Sequence, residues 1–303
     1  MANGRATVAP VDYAFFRSTH DRSAHLRKDD MWRTSEGDLK VLVLGGEHVA
    51  TSQSEGGAGP AIRWADEADA PEGEWAFLGY RDGARYAAVM VDRVPVDLQP
   101  QSLRMIGPTL DPDEASAAVH AVGLARWHQN HRFCAKCGQP TEVYAAGHER
   151  ICPACGTHHF PRTDPAVIML ITDDQDRALL GRHPAWPEGR FSTLAGFVEP
   201  GESLDDAVRR EVMEEVGIEV GDVTYAGSQP WPFPSSLMLG FFGDATSTDI
   251  HVDADEISEA RWFTRDEVTE MTASTDLLLP PNVSISRALI QAWHGGTIHG
   301  KWA

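Results

Sequence analysis

Gly196 to Ile218 reads GFVEPGESLDDAVRREVMEEVGI, and it decides the fold because a glycine-bearing turn runs directly into a short acidic helix. Ser203 followed by Asp206 forms a capping-box-like start, with Asp at the third position where Glu is usual. Gly217 stands where a helix needs a left-handed stop, so the helix is expected over Leu204 to Val216. Glu211 and Glu215 are four apart and Glu211 and Glu214 three apart, so all three project from adjoining turns within reach of one ion cluster. Like charges so close are unfavourable without a cation. Hard carboxylate oxygens suit magnesium or manganese, which keep several waters and take phosphate oxygens to complete their shells. A solvated acidic helix is the bland alternative. It leaves unexplained why Arg210, two flanking glycines and the apolar Val208, Val212 and Val216 coincide with the carboxylates.

The spacing of Gly196, Glu202, Arg210, Glu211, Val212, Glu214, Glu215, Gly217 and Ile218 resembles, without a mismatch, the signature box of the Nudix hydrolases. That resemblance implies an α+β fold, the Nudix α/β/α sandwich with a mixed sheet, and hydrolysis of a nucleoside diphosphate linked to another moiety. Arg210 is expected to pair with the carboxylates and orient them rather than touch substrate.

All four cysteines lie in one stretch, Cys134, Cys137, Cys152 and Cys155, spaced C-x2-C-x14-C-x2-C. Two short knuckles, AKCG and PACG, each offer a pair of thiolates, and this spacing is a zinc signal. Four thiolates leave no open position for water, so the expected Zn2+ is structural. Two disulfides are the competing reading, disfavoured in a reducing compartment.

At 303 residues the chain exceeds the usual single-domain size. Three segments are expected: an N-terminal α/β domain over 1–128, a zinc ribbon over 129–162 and a catalytic domain over 163–303. Strand-like runs KVLVLG (Lys40 to Gly45) and RYAAVMV (Arg85 to Val91) flank a Gly, Ser and Glu-rich segment, Ser52 to Gly59, which reads as a mobile loop. Asp111 and Pro112 open a helix that leads through Trp127 into HQNHR. Beyond Pro161, AVIMLIT, RALLGRH and FSTLAGF look like buried strands feeding the acidic helix, and an amphipathic helix, Ser284 to Trp293, follows. No GxGxxG turn follows a strand, so a hydride-transferring dinucleotide fold has no support.

With 26 Lys and Arg against 45 Asp and Glu, the net charge of −19 argues against general coating of nucleic acid. Between Arg126 and Arg162 five basic residues face only Glu142 and Glu149, which leaves one locally basic strip. No apolar run approaches the ~18 residues of a membrane span, and MANGRATVAPVDYAFF lacks a basic segment followed by an apolar core, so a cytoplasmic protein is expected.

Eleven residues past Gly217 begins SQPWPFPSS, Ser228 to Ser236, a proline-stiffened loop presenting Trp231 and Phe233. Flat heteroaromatic rings gain ~1–3 kcal/mol per base stacked on such faces, at little ordering cost. A plug for a core or an interface is the structural alternative. The order of four-cysteine ribbon, Nudix box and SQPWPFPxS resembles the NAD(H) pyrophosphatase branch of the Nudix family, also known for removing NAD caps from RNA. The resemblance covers about Cys134 to the C-terminus, and it implies splitting of NAD(H) into nicotinamide mononucleotide and AMP, a homodimer, ribbon zinc and catalytic Mg2+ or Mn2+. The N-terminal segment matches only by position, where relatives carry a degenerate Nudix-like domain.

Carried residue by residue, the resemblance implies metal ligands at the Ala195 carbonyl, Glu211, Glu215 and a later glutamate best matched by Glu256, with Asp253 and Asp255 close by. Phe197 and the loop Gln229, Pro230, Trp231, Pro232, Phe233, Pro234, Ser235 and Ser236 are expected to hold the nicotinamide or adenine end. Phe160 falls where relatives carry tyrosine and Ser286 where they carry alanine. Catalysis is expected from Glu211, Glu215 and Glu214, the last as base or further ligand. Two rival readings stay open: a hydrolase of ADP-ribose or another nucleoside-diphosphate compound, and a zinc-ribbon protein that only binds RNA ends.

Overall fold

The structure is a computed structural model of the chain and describes residue 15 and residues 18–54, 59–296 and 298–299. The N-terminal stretch behind the cytoplasmic expectation lies outside the described residues except for Phe15, as do residues 55–58 of the Ser52 to Gly59 segment. Two compact units are present, Ala14–Thr163 with Pro230–Ser236, and Asp164–Gln229 with Leu237–Ala303. Among the described residues no helix is long and apolar enough to cross a membrane.

In the first unit the strands are β1 (Leu39–Gly45), β2 (His48–Val49), β3 (Thr51–Gln53), β4 (Pro60–Ile62), β5 (Trp64–Ala65), β6 (Glu74–Arg81), β7 (Ala84–Met90) and β8 (Gln101–Ser102). Five of them form the order β6-β7-β1-β2-β8, with β5 beside β1. The sheet is mixed, since β1 runs parallel to β7 and the β6–β7 hairpin is antiparallel. Ser52 and Gln53, expected in a mobile loop, instead pair with Ala61 and Pro60 as β3 and β4. The helices are α1 (Met31–Thr34), α2 (Leu103–Ile106) and α3 (Pro112–Asn130). Helix α3 begins as its sequence dictates: the Asp111 side chain accepts from the Asp113 N–H and Pro112 fills the first turn, where no amide donor is missed.

The ribbon belongs to this same unit. Its strands β9 (Glu142–Tyr144), β10 (Glu149–Ile151) and β11 (His158–His159) pair antiparallel. The reason it does not stand apart is a polar network reaching back to the N-terminal residues. Buried Arg150 donates to both Glu74 carboxylate oxygens at 3.1 Å and to His128 Nδ1 at 2.7 Å. His148 Nε2–H donates to the Phe77 carbonyl at 2.7 Å. A guanidinium taken out of water needs such partners, so Arg150 fastens ribbon to sheet.

The second unit contains β12 (Asp164–Thr172), β13 (Ala178–Arg182), β14 (Leu194–Phe197), α4 (Leu204–Val216), β15 (Val220–Trp231), β16 (Ser236–Ala245), β17 (Glu259–Phe263), α5 (Arg265–Ser274) and α6 (Ile285–His294). Its sheet runs β15-β16-β12-β13-β17, with β14 also on β12. Side chains alternate across a strand, and here both faces are covered. Val167, Met169 and Ile171 of β12 pack with Val208, Val212 and Val216 of α4. Ile168 and Leu170 point the other way, into a core with Leu289, Ile290 and Trp293 of α6. This is the helix–sheet–helix sandwich expected from the sequence, and its order places the N-terminal end of α4 just after β14.

Candidate active site and metal centres

Helix α4 has both expected ends. Ser203 Oγ accepts from the Asp206 N–H, and Gly217 closes the helix at φ 70°. Burying Ala207, Val208, Val212 and Val216 against the sheet fixes the helix's rotation, and that rotation brings Glu211 and Glu215 to the rim of the buried face. Glu211 is 8% exposed and Glu215 6%.

Glu211 lies against β14. A Cβ on Gly196 would overlap its carboxyl carbon, so the absent side chain is the space the carboxylate fills. Arg210 fixes the remaining acids: Nη1 donates to Glu211 Oε1 and Glu214 Oε2, each at 2.9 Å, and Nε and Nη2 grip Glu202 at 2.7 and 2.8 Å. Its Nη2 also donates to the Phe197 carbonyl at 2.9 Å, tying helix to strand. The expected pairing of Arg210 with the carboxylates is thus observed. That grip holds the Glu202 carboxyl at about 2, far below its ordinary range.

Glu215 has no such cation. One of its carboxylate oxygens is buried without a hydrogen-bond partner. Burial first, then the charges of Glu211 and Glu256, push its carboxyl up to about 8. Glu211 is raised by burial too, opposed by its bond to Arg210. Glu256 therefore sits near enough to be felt by both. Its turn is fastened to the end of α4, where the Asp253 N–H donates to the Glu215 carbonyl at 3.0 Å and the His251 N–H to the Val216 carbonyl at 2.9 Å. Asp253 spends its carboxylate on the Asp255 N–H at 2.9 Å, which leaves Glu256 as the acid that raises both carboxyls. The two buried carboxylates, one with an unpartnered oxygen, are hard-oxygen donors of the kind a divalent cation takes, although among the described residues only the four cysteines bring their ligand atoms within 4.8 Å of one another. Ala195 lies in β14 opposite Ile168, next to Gly196.

The cysteines converge as their spacing implies. Their four Sγ atoms lie within 4.8 Å of one another. Separations of 3.7, 3.5 and 3.5 Å are far beyond a disulfide bond of about 2.05 Å and near the edge of a tetrahedron with zinc–sulfur bonds of about 2.3 Å. The donor set fits zinc and no open position. His159 Nε2 is 3.3 Å from Cys134 Sγ, the place of an outer support for a thiolate.

The remaining expected residues divide into three groups. Phe197 is exposed on β14 beside the acids. Gln229 and Ser286 are buried within the second unit. Gln229 Nε2–H donates to the Val283 carbonyl at 2.6 Å and its Oε1 accepts from the Ile285 N–H at 2.9 Å, so the side-chain amide is committed to the start of α6. Ser286 is 1% exposed, and its hydroxyl accepts from the Thr193 N–H and Oγ–H and bonds Ser192 Oγ. The extra hydroxyl is therefore satisfied inside the fold; nothing in the local sequence signals the pairing with Ser192 and Thr193, some 93 residues away. Pro230 to Ser236 form the tip of the β15–β16 hairpin and belong to the first unit. There Pro232 is buried near Gly123, Trp231 packs edge-on to Phe233 at 5.2 Å, and the Arg104 guanidinium lies 5.8 Å from the Trp231 ring. Phe160 is 64% exposed on the ribbon, its ring stacked on His158 at 6.5 Å.

Comparison with known proteins agrees with this geometry. Residues 162–281 match the NUDIX domain model and residues 129–160 the NADH pyrophosphatase zinc ribbon domain model. The NAD-capped RNA hydrolase NudC of Mycobacterium bovis (strain BCG / Pasteur 1173P2) is 46% identical over 251 residues, covering 78% of this chain and 79% of that one. The NAD-capped RNA hydrolase NUDT12 of Homo sapiens is 44% identical over 192 residues, 59% of this chain and 42% of that one. On its box glutamates, its four-cysteine ribbon and this similarity over most of both chains, the protein belongs to the Nudix hydrolase family, in the branch that carries the NADH pyrophosphatase zinc ribbon.

Proposed function

We propose that this enzyme hydrolyses the phosphoanhydride of NAD(H), giving nicotinamide mononucleotide and AMP, and removes NAD caps from RNA 5′ ends. The observation that carries this reading is the pair of buried carboxylates on one helix, Glu211, which packs against Gly196, and Glu215, both raised by burial and, after it, by the charge of Glu256. The names of the mycobacterial and human relatives support the substrate.

Glu211, Glu215, Glu256 and the Ala195 carbonyl would hold Mg2+ or Mn2+, and Cys134, Cys137, Cys152 and Cys155 would hold Zn2+. When bound, the divalent ions supply charge neutralisation of the diphosphate and acidify water. The chain's own part is to keep its acids in place. Arg210 locks Glu211 and Glu214 on adjacent turns, so little reorganisation is needed as charge develops on phosphorus. Water adds its oxygen to one phosphorus and the bridging oxygen departs with the other phosphate; Glu214 takes the proton or serves as a further ligand. Phe197, Phe160 and the tip residues Trp231 and Phe233 offer aromatic faces to nicotinamide or adenine, with Pro230, Pro232, Pro234, Ser235 and Ser236 shaping the tip. Gln229 and Ser286 position β15, α6 and β14 rather than touch substrate. A homodimer in the cytoplasm completes the proposal, and solution mass measurement tests the dimer.

The test is incubation with NADH, ADP-ribose or NAD-capped RNA in the presence of Mn2+, with products separated by chromatography. Nicotinamide mononucleotide release from NADH and from capped RNA is expected. Cleavage of ADP-ribose alone, or binding of RNA without cleavage, overturns the assignment.

A further inference from the structure

The last carbonyls of a helix have no partner within it, and at the end of α4 two of them are taken up by one segment distant in sequence. The His251 N–H donates to the Val216 carbonyl at 2.9 Å and the Asp253 N–H to the Glu215 carbonyl at 3.0 Å. Gly217 makes room for that segment: its φ is 70°, and a Cβ there would lie 3.0 Å from His251 Cβ. The chain then closes a turn on Asp253. Its Oδ1 accepts from the Asp255 N–H at 2.9 Å, and its carbonyl accepts from the Glu256 N–H at 3.2 Å and the Ile257 N–H at 2.8 Å. Ile257 is buried in the core that Val212 and Val216 of α4 share, and the Ser258 N–H and Oγ–H both donate to the Arg182 carbonyl, at 2.8 and 2.9 Å.

Glu256 stands between these two fixed ends. Its side chain is exposed and, among the described residues, makes no hydrogen bond or ion pair. No contact of its own aims it, so its direction is set by the backbone that carries it. Burial raises the carboxyls of Glu211 and Glu215, and the charge of Glu256 raises both further, so the turn delivers Glu256 to the acids of α4.

Asp253 contributes three atoms to that turn. Its N–H and carbonyl survive any substitution that keeps the backbone; only Oδ1 depends on the residue type. Asp and Asn close such a turn alike, because each carries an acceptor oxygen on the γ carbon. As ligands of a hard divalent cation the two differ, since the amide has no charge to offer.

We infer that Asp253 is a positioning residue for the hydrolysis: its carboxylate accepts from the Asp255 N–H to hold Glu256 toward Glu211 and Glu215, and does not itself bind the ion. The inference rests on the proposed metal-dependent hydrolysis and deepens it, by separating the ligand of this loop from its support.

The test is a double-mutant cycle on the full-length, zinc-replete protein, read as Mn2+ affinity without substrate from the paramagnetic resonance of the free ion, with kcat on NADH in parallel. Asp253→Ala should weaken Mn2+ binding about tenfold, as the loss of an outer support of a metal ligand does. Asp253→Asn should keep the affinity within about twofold of the wild type, because the turn still closes. Glu256→Gln should weaken binding at least as much as Asp253→Ala, and adding Asp253→Ala to it should cost nothing further, because the support then has no ligand to aim. Equal losses in Asp253→Asn and Asp253→Ala would make Asp253 a ligand and overturn the inference. Wild-type affinity in Asp253→Ala overturns it too, as does an undiminished cost of Asp253→Ala in the Glu256→Gln background, the mark of a general defect in folding. A wild type that binds Mn2+ without cleaving NADH overturns the proposed function instead, and the cycle still decides the role of Asp253.

Discussion

The carboxylate of Glu211 occupies the space that a methyl group on Gly196 would fill, and a Cβ built there would overlap both carboxylate oxygens. Strand and helix therefore approach so closely that the acid is aimed by backbone packing rather than by its own rotamer alone. Gly196→Ala must push Glu211 aside. A displacement of about 1 Å costs about 10²-fold in turnover, whereas overpacking by one methyl costs about 1–3 kcal/mol in stability. The expected variant is folded and nearly inactive, checked by kcat on NADH together with thermal unfolding.

Glu215 is the acid with a buried, unpartnered oxygen. Glu215→Gln removes an ionisable group whose charged form is disfavoured in the metal-free interior. Turnover should fall by about three orders of magnitude, the loss of several kcal/mol of charge stabilisation. Above pH 8, where the Glu215 carboxyl is ionised, the metal-free variant should unfold at a higher temperature than the metal-free wild type, because a neutral amide costs less to bury than an unpaired carboxylate. Calorimetry in chelator, beside an NADH assay in Mn2+, checks both halves. Near-normal cleavage would remove Glu215 from the mechanism.

Helix α4 was legible to the residue, and for a local reason. Its cap Ser203, its stop Gly217 and its carboxylate spacing lie within fifteen residues of one another, where helical geometry alone fixes the outcome. The same holds for Arg210, whose partners Glu211 and Glu214 are one and four positions away. Gln229 and Ser286 were not legible, since their partners at Val283, Ile285 and Thr193 are brought near only by tertiary packing. Nor was the union of ribbon with the N-terminal sheet: Arg150 reads as one more basic residue until Glu74, 76 positions earlier, lies against it.

The ribbon's four thiols make zinc removal a structural perturbation of the whole first unit. Chelation, or Cys152→Ser, should release the Arg150 and His148 anchors together with the ribbon. Loss of near-ultraviolet signal from the tryptophans packed about Trp32 and Trp75, in step with zinc release, is the expected readout. An unchanged spectrum with zinc fully removed would show that the ribbon holds itself.

His148 gives the first unit an acid limit. Burial lowers its imidazole to about 4, despite the opposing bond to the Phe77 carbonyl, and His120 and His128 are lowered by burial as well. The unfolded chain protonates His148 near pH 6.5 and the folded chain does so only near 4, so its contribution to stability is complete above 6.5 and is lost as pH falls from 6.5 towards 4. The unfolding temperature should drop across that window, and His148→Gln, which keeps an amide donor but cannot titrate, should flatten the drop. A profile that is equally steep in the variant would assign the acid sensitivity to other groups.

The proposed chemistry depends on Glu211 and Glu215 gripping divalent ions that ready a phosphoanhydride for attack by water. A crystal soaked in Mn2+ and measured at the manganese absorption edge decides this. Anomalous density is expected at about 2.1 Å from carboxylate oxygens of Glu211 and Glu215, the distance hard cations take from oxygen, and it should disappear in Glu215→Gln. Anomalous density elsewhere, with both carboxylates facing bulk solvent, would contradict it.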